Sequence, residues 1–203
     1  MHSDSAPTRD EWPPDMVVYF EHLDPVLLPL LFARSTLGIR SGRDVPEKLA
    51  PSPDSWLVPT SGGSRQTPQA DDWDAHWLTR LDELATQRHP GEVVAAPDLH
   101  EALRKDRLLR RPRWRDVHGD SFDAAAYERW LAAIDEATDL TVGPAISRAL
   151  IDAWHAGLFA VTILPIATPF ASRVSPSCLV VSAATWRDVP SMHFALALDA
   201  ATG

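Results

Sequence analysis

At 203 residues, with 45% hydrophobic and 23% charged side chains, the chain has the composition of a folded protein rather than a disordered one, and its length suits one well-buried core better than two. A formal net charge of -9 sets long-range repulsion against polyanions, which argues against a general binder of nucleic acid or of an anionic membrane surface. The single cysteine, Cys178, can form no internal disulfide, and no thiolate and imidazole ligands cluster around it. The expected setting is therefore reducing and cytoplasmic, with neither a structural metal nor a cofactor.

The first fifteen residues, MHSDSAPTRDEWPPD, carry acids and prolines where a signal peptide needs a positive start and an apolar core. They read as a polar tail before a single domain over 16–203. Met16–Phe20 (MVVYF) is β-branched and aromatic, and is predicted to be a strand. Asp24 is placed to cap a helix whose first residue is Pro25, with Pro29 kinking or shortening it and Gly38 ending it. The apolar run from Val26 to Ile39 is broken by Pro29 and Arg34 and falls short of the roughly 20 residues needed to cross a bilayer, so no membrane span is expected.

From Ser41 to Ala70 the chain holds five prolines, three glycines and five serines, with Trp56, Leu57 and Val58 suggesting only a short strand. Asp71 or Asp72 then opens the clearest helix. Trp73, Trp77, Leu81 and Leu84 form its apolar face, with Arg80, Asp82 and Glu83 on the solvated side. Glu92–Ala96 reads as a strand, and Asp98 caps a basic helix reaching about Leu109.

Asp120 or Ser121 begins a helix carrying Tyr127, Trp130, Leu131 and Ile134 on one stripe. Pro144 starts the next, whose face is Val142, Ile146, Leu150, Ala153 and Trp154, and the two are expected to pack as a hairpin. The remainder changes period from 3.6 to 2. Leu158–Ile166, Cys178–Ala184 and Met192–Leu198 read as three strands in an antiparallel meander. The expected fold class is α+β: a single domain with helices packed on a mixed, mainly antiparallel sheet and a C-terminal three-stranded meander.

The most distinctive local feature is residues 104–115, RKDRLLRRPRWR, with seven basic residues against one acid, so that the segment is +6 and the rest of the chain -15. Arg104, Arg107, Arg110, Arg111 and Arg113, with Trp114 as a stacking face, are the candidate binding residues. They suit a phosphate, a nucleotide tail or an acidic partner surface. A solvated helix end whose arginines pair with the surplus carboxylates explains the same run. The preference for arginine is weak evidence in itself. Asparagine is absent and only Lys48 and Lys105 stand beside seventeen arginines, a bias that a high-GC bacterial genome accounts for.

Other motifs fail on spacing. His118-Gly119-Asp120 resembles the HGD turn of aminoglycoside-type phosphotransferases over three residues. Ala125 stands where that family has its metal-binding asparagine, and the chain is too short for two lobes, so Asp120 reads as a helix cap. His100-Glu101 lacks the second histidine of a zinc protease, because Arg104 occupies its place. Ser61-Gly62-Gly63-Ser64-Arg65 lacks the lysine of a phosphate loop, and Cys178 with His193 forms a nucleophile and base only if neighbouring strands bring them together. Of eight tryptophans, Trp73, Trp77, Trp130 and Trp154 follow the helical period and read as core, while Trp12, Trp56, Trp114 and Trp186 fall in loops or element ends, where exposure would favour a protein interface. The resulting expectation is a non-enzymatic regulatory or macromolecule-binding protein with a protein partner. The alternative is a small enzyme or sensor for an anionic, phosphorylated metabolite held by the 104–115 arginines.

Overall fold

The computed structural model describes residues 12–56, 70–86 and 123–198. Four strands form one mixed sheet in the order β1-β2-β4-β3: β1 (Tyr19–Glu21), β2 (Ala160–Leu164), β3 (Ala171–Ser175) and β4 (Cys178–Ser182). The helices are α1 (Leu27–Leu37), α2 (Ala70–Ala85), α3 (Ala124–Ala137), α4 (Pro144–His155), α5 (Ala183–Arg187) and α6 (Val189–Leu196), with a 3-10 turn at Pro53–Trp56.

Side chains alternate across the two central strands and so divide the core in two. Ala160, Leu164, Cys178 and Val180 join α1, α2 and α3 on the first face, while Val161, Ile163, Leu179 and Val181 join α4, α5 and α6 on the second. Helices thus cover both faces of a mixed sheet, in an α+β arrangement. No helix among the described residues is long and apolar enough to cross a membrane.

The final meander is corrected by this topology. β2 pairs with β4 in parallel, β1 pairs with β2 in parallel, and only β3 and β4 are antiparallel. After β2 the chain passes the neighbouring position, lays β3 at the outer edge, and returns to insert β4 between them. Burial explains the order: all five residues of β2 and of β4 are buried, as central strands require, whereas in β3 only Arg173 is. The expected third strand, Met192–Leu198, lies instead in and just beyond α6. Asp188 caps that helix by accepting from the Ser191 amide at 3.0 Å, and Met192, Ala195 and Leu196 make a helical stripe that leaves Phe194 69% exposed. A short segment whose apolar residues fit both periods was decided by its cap.

Four further expectations change. Asp24 does cap the first helix, its Oδ1 accepting from the Val26 and Leu27 amides at 2.9 and 2.7 Å, but regular helix starts at Leu27 rather than Pro25. Pro29 falls in the first turn, where its missing amide proton has no intrahelical partner to lose, and α1 runs on to Gly38 at φ 66°. Helix α3 is capped by Asp123, which accepts from the Ala126 amide at 2.9 Å, whereas Asp120 and Ser121 lie outside the described residues. Helices α3 and α4 do not form a hairpin, because each buries its stripe against a different face of the sheet.

The start of the Pro/Gly/Ser-rich segment is anchored rather than free. Ala50 donates to the Pro165 carbonyl at 2.9 Å, Ala167 to the Lys48 carbonyl at 2.8 Å, and the Trp130 indole to the Pro51 carbonyl at 2.8 Å. Trp56 closes the 3-10 turn instead of opening a strand, and Leu57 and Val58 lie outside the described residues.

Candidate functional site

The strand expected at 92–96, the helix expected at 98–109 and every residue of the arginine run, Arg104, Arg107, Arg110, Arg111, Arg113 and Trp114 included, lie outside the described residues. So do the Ser61–Arg65 turn, His100 and the His118–Asp120 motif. Cys178 and His193 are not brought together. The thiol faces the first layer of helices and the imidazole sits on α6 in the second, and burial pushes the Cys178 thiol up to about 11, so it is neutral at physiological pH. Among the loop tryptophans, Trp186 is buried, its indole donating to the Asp139 carbonyl at 2.9 Å, so it is core rather than interface.

Buried cations mark the chemically notable places. On the first face Arg80 turns inward instead of toward solvent. Its Nη2 and Nε donate to Oδ2 of Asp24 at 2.7 and 3.1 Å, and Nη1 donates to Glu83 at 3.1 Å. Asp24 is fully buried, so this carboxylate is satisfied on one oxygen by backbone amides and on the other by a guanidinium. Burial alone would lower the Arg80 pKa, but the hydrogen bonds and charges of Asp24 and Glu83 outweigh it and raise the value. Arg34 is also buried. It packs 5.1 Å over the Trp73 ring and donates through Nη2 to the Pro46 carbonyl, while Nη1 is enclosed without an acceptor among the described residues; burial lowers its pKa, and the charges of Glu47 and Asp74 oppose that shift.

On the second face Arg173 has no such company. Its position in β3 is opposite Leu179, with a register shift between Arg173 and Ser175, and its Nε and Nη2 donate to the Ser175 and Pro176 carbonyls that close the β3-β4 turn. Nη1 is enclosed and meets no acceptor among the described residues. Burial lowers the Arg173 pKa, and the only described group that offsets this is Cys178, whose thiol carries no charge at neutral pH. Arginine stays protonated under these conditions. Arg173, a residue only 7% exposed, is therefore charged without an ion-pair partner among the described residues.

Arg173 forms part of the wall of a pocket of about 590 Å³ between α4, α6 and the β3-β4 turn. The pocket exists because α4 turns Ala149, Ala153 and Ala156 toward α6, residues too short to fill the gap, while Ile146 and Leu150 pack against the sheet. Leu196, Ala197, Leu198 and Pro176 add apolar walls, and Asp152 and His193 bring the remaining polar groups. The His193 Nε2 donates to the Ala145 carbonyl at 2.7 Å, which fixes the ring between the two helices and leaves Nδ1 as the other ring nitrogen. Asp152 has a side chain 65% exposed and a long contact of 3.6 Å to Arg148, a pair worth little in water.

Sequence reasoning missed Arg173 and the pocket. Arg173 is the one strongly polar residue in a short strand, and the alanines at 149, 153 and 156 repeat at helical spacing. Both signals are weak until the topology sets them against each other. A second polar pair, His22 Nε2 to Asp135 Oδ1 at 2.7 Å, lies after β1 on the first-face side with Asp135 62% exposed, and no described nucleophile joins it. Compared with models of known protein families, with curated protein sequences and with solved structures, the chain matches none.

Proposed function

We propose that this chain is a regulatory binding protein of the bacterial cytoplasm that holds a small organic anion in the pocket between α4 and α6, with Arg173 as its anchor. The observation that supports this is the buried Arg173 guanidinium on the wall of an open pocket, with one amino group lacking an acceptor and no described carboxylate to balance it. A charge buried in this way is costly, and an anion held in the neighbouring pocket supplies the missing countercharge. The anchor differs from the arginine run at 104–115, whose part in binding is a separate proposal.

Protein partnership is the second reading, and Phe194 favours it. This aromatic ring is 69% exposed on α6, with Val189 37% exposed on the same helix, while His193 and Leu196 of that helix line the pocket. One short helix thus joins the ligand site to an apolar surface, as a ligand-dependent regulator requires.

The test is a thermal-shift comparison of the full-length chain and Arg173→Met in saturating benzoate, acetate or inorganic phosphate. A ligand at 100 times its dissociation constant adds about 2.7 kcal/mol to stability, which is readily seen as a rise in melting temperature. The expected result is a rise with a carboxylate for the native chain and none for the variant. Equal shifts in both proteins, or none in either, would contradict the proposal.

A further inference from the structure

The pocket between α4 and α6 offers an anion very few hydrogen-bond donors. Arg173 has Nε and Nη2 committed to the Ser175 and Pro176 carbonyls and Nη1 enclosed, so it acts on the contents of the pocket through its charge. The backbone amides at the helix ends are occupied as well. Ala156 donates to the Asp152 carbonyl at 3.1 Å, Ala197 to the His193 carbonyl at 3.2 Å and Leu198 to the Ala195 carbonyl at 3.3 Å. Pro176 has no amide proton, and the Asp152 carboxylate is an acceptor. Among the described lining side chains, the imidazole of His193 is the group left to donate.

That ring can donate to a ligand in one protonation state only. A carbonyl accepts, so Nε2 carries the proton in the 2.7 Å contact with Ala145, and in the neutral ring Nδ1 is then a lone pair. A lone pair repels a carboxylate oxygen. A second proton turns Nδ1 into a donor bearing formal positive charge, and its contact with an anion becomes a charge-assisted hydrogen bond. The Nε2 contact with α4 is the same in both states, so protonation changes Nδ1 without releasing the ring.

We infer that His193 is the hydrogen-bonding partner of the anion and makes that contact only as imidazolium, so that a carboxylate enters this pocket together with one proton. This rests on the reading of the pocket as a small-anion site and assigns its regulation. The charged groups around His193 are Arg173 on β3, Asp152 on α4 with Arg148 at 3.6 Å from it, Asp188 at the start of α6, and Arg187 on α5, whose Nη2 is turned to the Ala137 carbonyl. Asp152 is mostly exposed and shared with Arg148, so water screens it. Without an anion, an imidazolium and Arg173 are two positive charges lining one pocket, and a carboxylate compensates both. Because the proton is held in the complex, affinity rises as pH falls through the imidazole range, about pH 8 to 5, by at most about tenfold per pH unit.

The experiment titrates the full-length chain calorimetrically with benzoate at about pH 5.5 and about pH 8, in two buffers of different ionisation enthalpy, with neutral benzamide as the control. The series is repeated on His193→Gln, which can still donate to the Ala145 carbonyl, and on Arg173→Met. His193 is exposed, so the melting temperature of His193→Gln should match that of the native chain. The expected result is that benzoate binds about tenfold or more tighter at the lower pH and takes up a proton at the higher, while benzamide shows neither effect. His193→Gln should bind benzoate weakly and equally at both pH values. A nitrogen-15 spectrum of the native chain near neutral pH reads the same event directly, because saturating benzoate should convert the Nδ1 signal of His193 from lone pair to protonated nitrogen. Benzoate binding that Arg173→Met abolishes but that is independent of pH, or that keeps its pH dependence in His193→Gln, overturns the inference and leaves the anion-pocket reading standing. Absence of benzoate binding at both pH values, or binding that Arg173→Met does not weaken, overturns both.

Discussion

Arg80 and Arg173 are both arginines drawn out of water onto opposite sides of one sheet, and they are completed differently. Arg80 meets Asp24 and Glu83, and Asp24 in turn caps α1, so charge, hydrogen bonds and helix start are satisfied within the chain. Arg173 finds only the carbonyls of its own turn and keeps one amino group without an acceptor among the described residues. A satisfied buried ion pair belongs to the architecture. Arg34 likewise keeps one enclosed amino group without an acceptor among the described residues, and what sets Arg173 apart is its place on the wall of a pocket, which is why a ligand is proposed there.

The sharpest way to break the comparison is to remove one partner from the satisfied side. Asp24→Ala strips Arg80 of its counter-ion and α1 of its cap, and the expected loss is about 3–5 kcal/mol in chemical denaturation. A loss below about 1 kcal/mol would place this pair with ordinary surface bridges.

Cys178 supplies a pH test of how dry the first face is. Its thiol, ordinarily near 9.0, is pushed up to about 11 by burial, so the folded chain retains a proton that the unfolded chain releases. Its contribution to stability is full below about pH 9 and is lost as pH rises toward 11. Cys178→Ala should flatten that part of the native chain's alkaline stability curve, and the native thiol should resist disulfide reagents at pH 8 until the protein unfolds. Identical alkaline curves for the two proteins would show that the thiol is solvated.

Caps give smaller effects. Asp123→Ala removes the acceptor of the Ala126 amide and should cost about 1 kcal/mol. Gly38→Ala places a Cβ at φ 66°, where open space surrounds it and only backbone strain opposes it, and should also cost about 1 kcal/mol. The smallest change in stability is expected at Arg173. Arg173→Met trades an uncompensated buried charge for an apolar chain of similar length and should shift ligand-free stability by less than about 1 kcal/mol in either direction. A loss as large as that at Asp24 would mean that Arg173 holds the fold rather than a ligand.

The local elements that the sequence predicted well are those in which period, cap and composition agree. The Trp73, Trp77, Leu81 and Leu84 face of α2 and the Tyr127, Trp130, Leu131 and Ile134 face of α3 all turn to the core, with Leu81 and Leu131 only partly buried, and the stop at Gly38 stands as read. The α+β class follows from the same signals. Reading failed where two signals conflicted or where order in space mattered. Met192–Leu198 alternates convincingly, but Asp188 and Pro190 start a helix there. The meander failed because neighbouring strands in sequence need not pair, and only the burial of β2 and β4 on both faces says which belong in the middle. Arg80 was read as solvated because its partner Asp24 lies 56 positions away. The pocket was illegible for the same reason: Arg173, Asp152 and His193 come from three elements and share no spacing. The seven-fold basic run that dominates the sequence lies outside the described residues, and a single arginine that sequence reading had passed over carries the candidate site.

The most direct measurement of the central claim is a titration of the nitrogen-15 labelled full-length chain with a monocarboxylate such as benzoate, following the arginine side-chain signals by NMR, with Arg173 and Arg80 assigned from the Arg173→Met and Arg80→Met spectra. The predicted result is a saturable shift of the Arg173 signals, with those of Arg80 unmoved because its acceptors are already in place. Arg173 signals that stay fixed through the titration, or that move no more than those of the exposed Arg148, would contradict the assignment of this pocket.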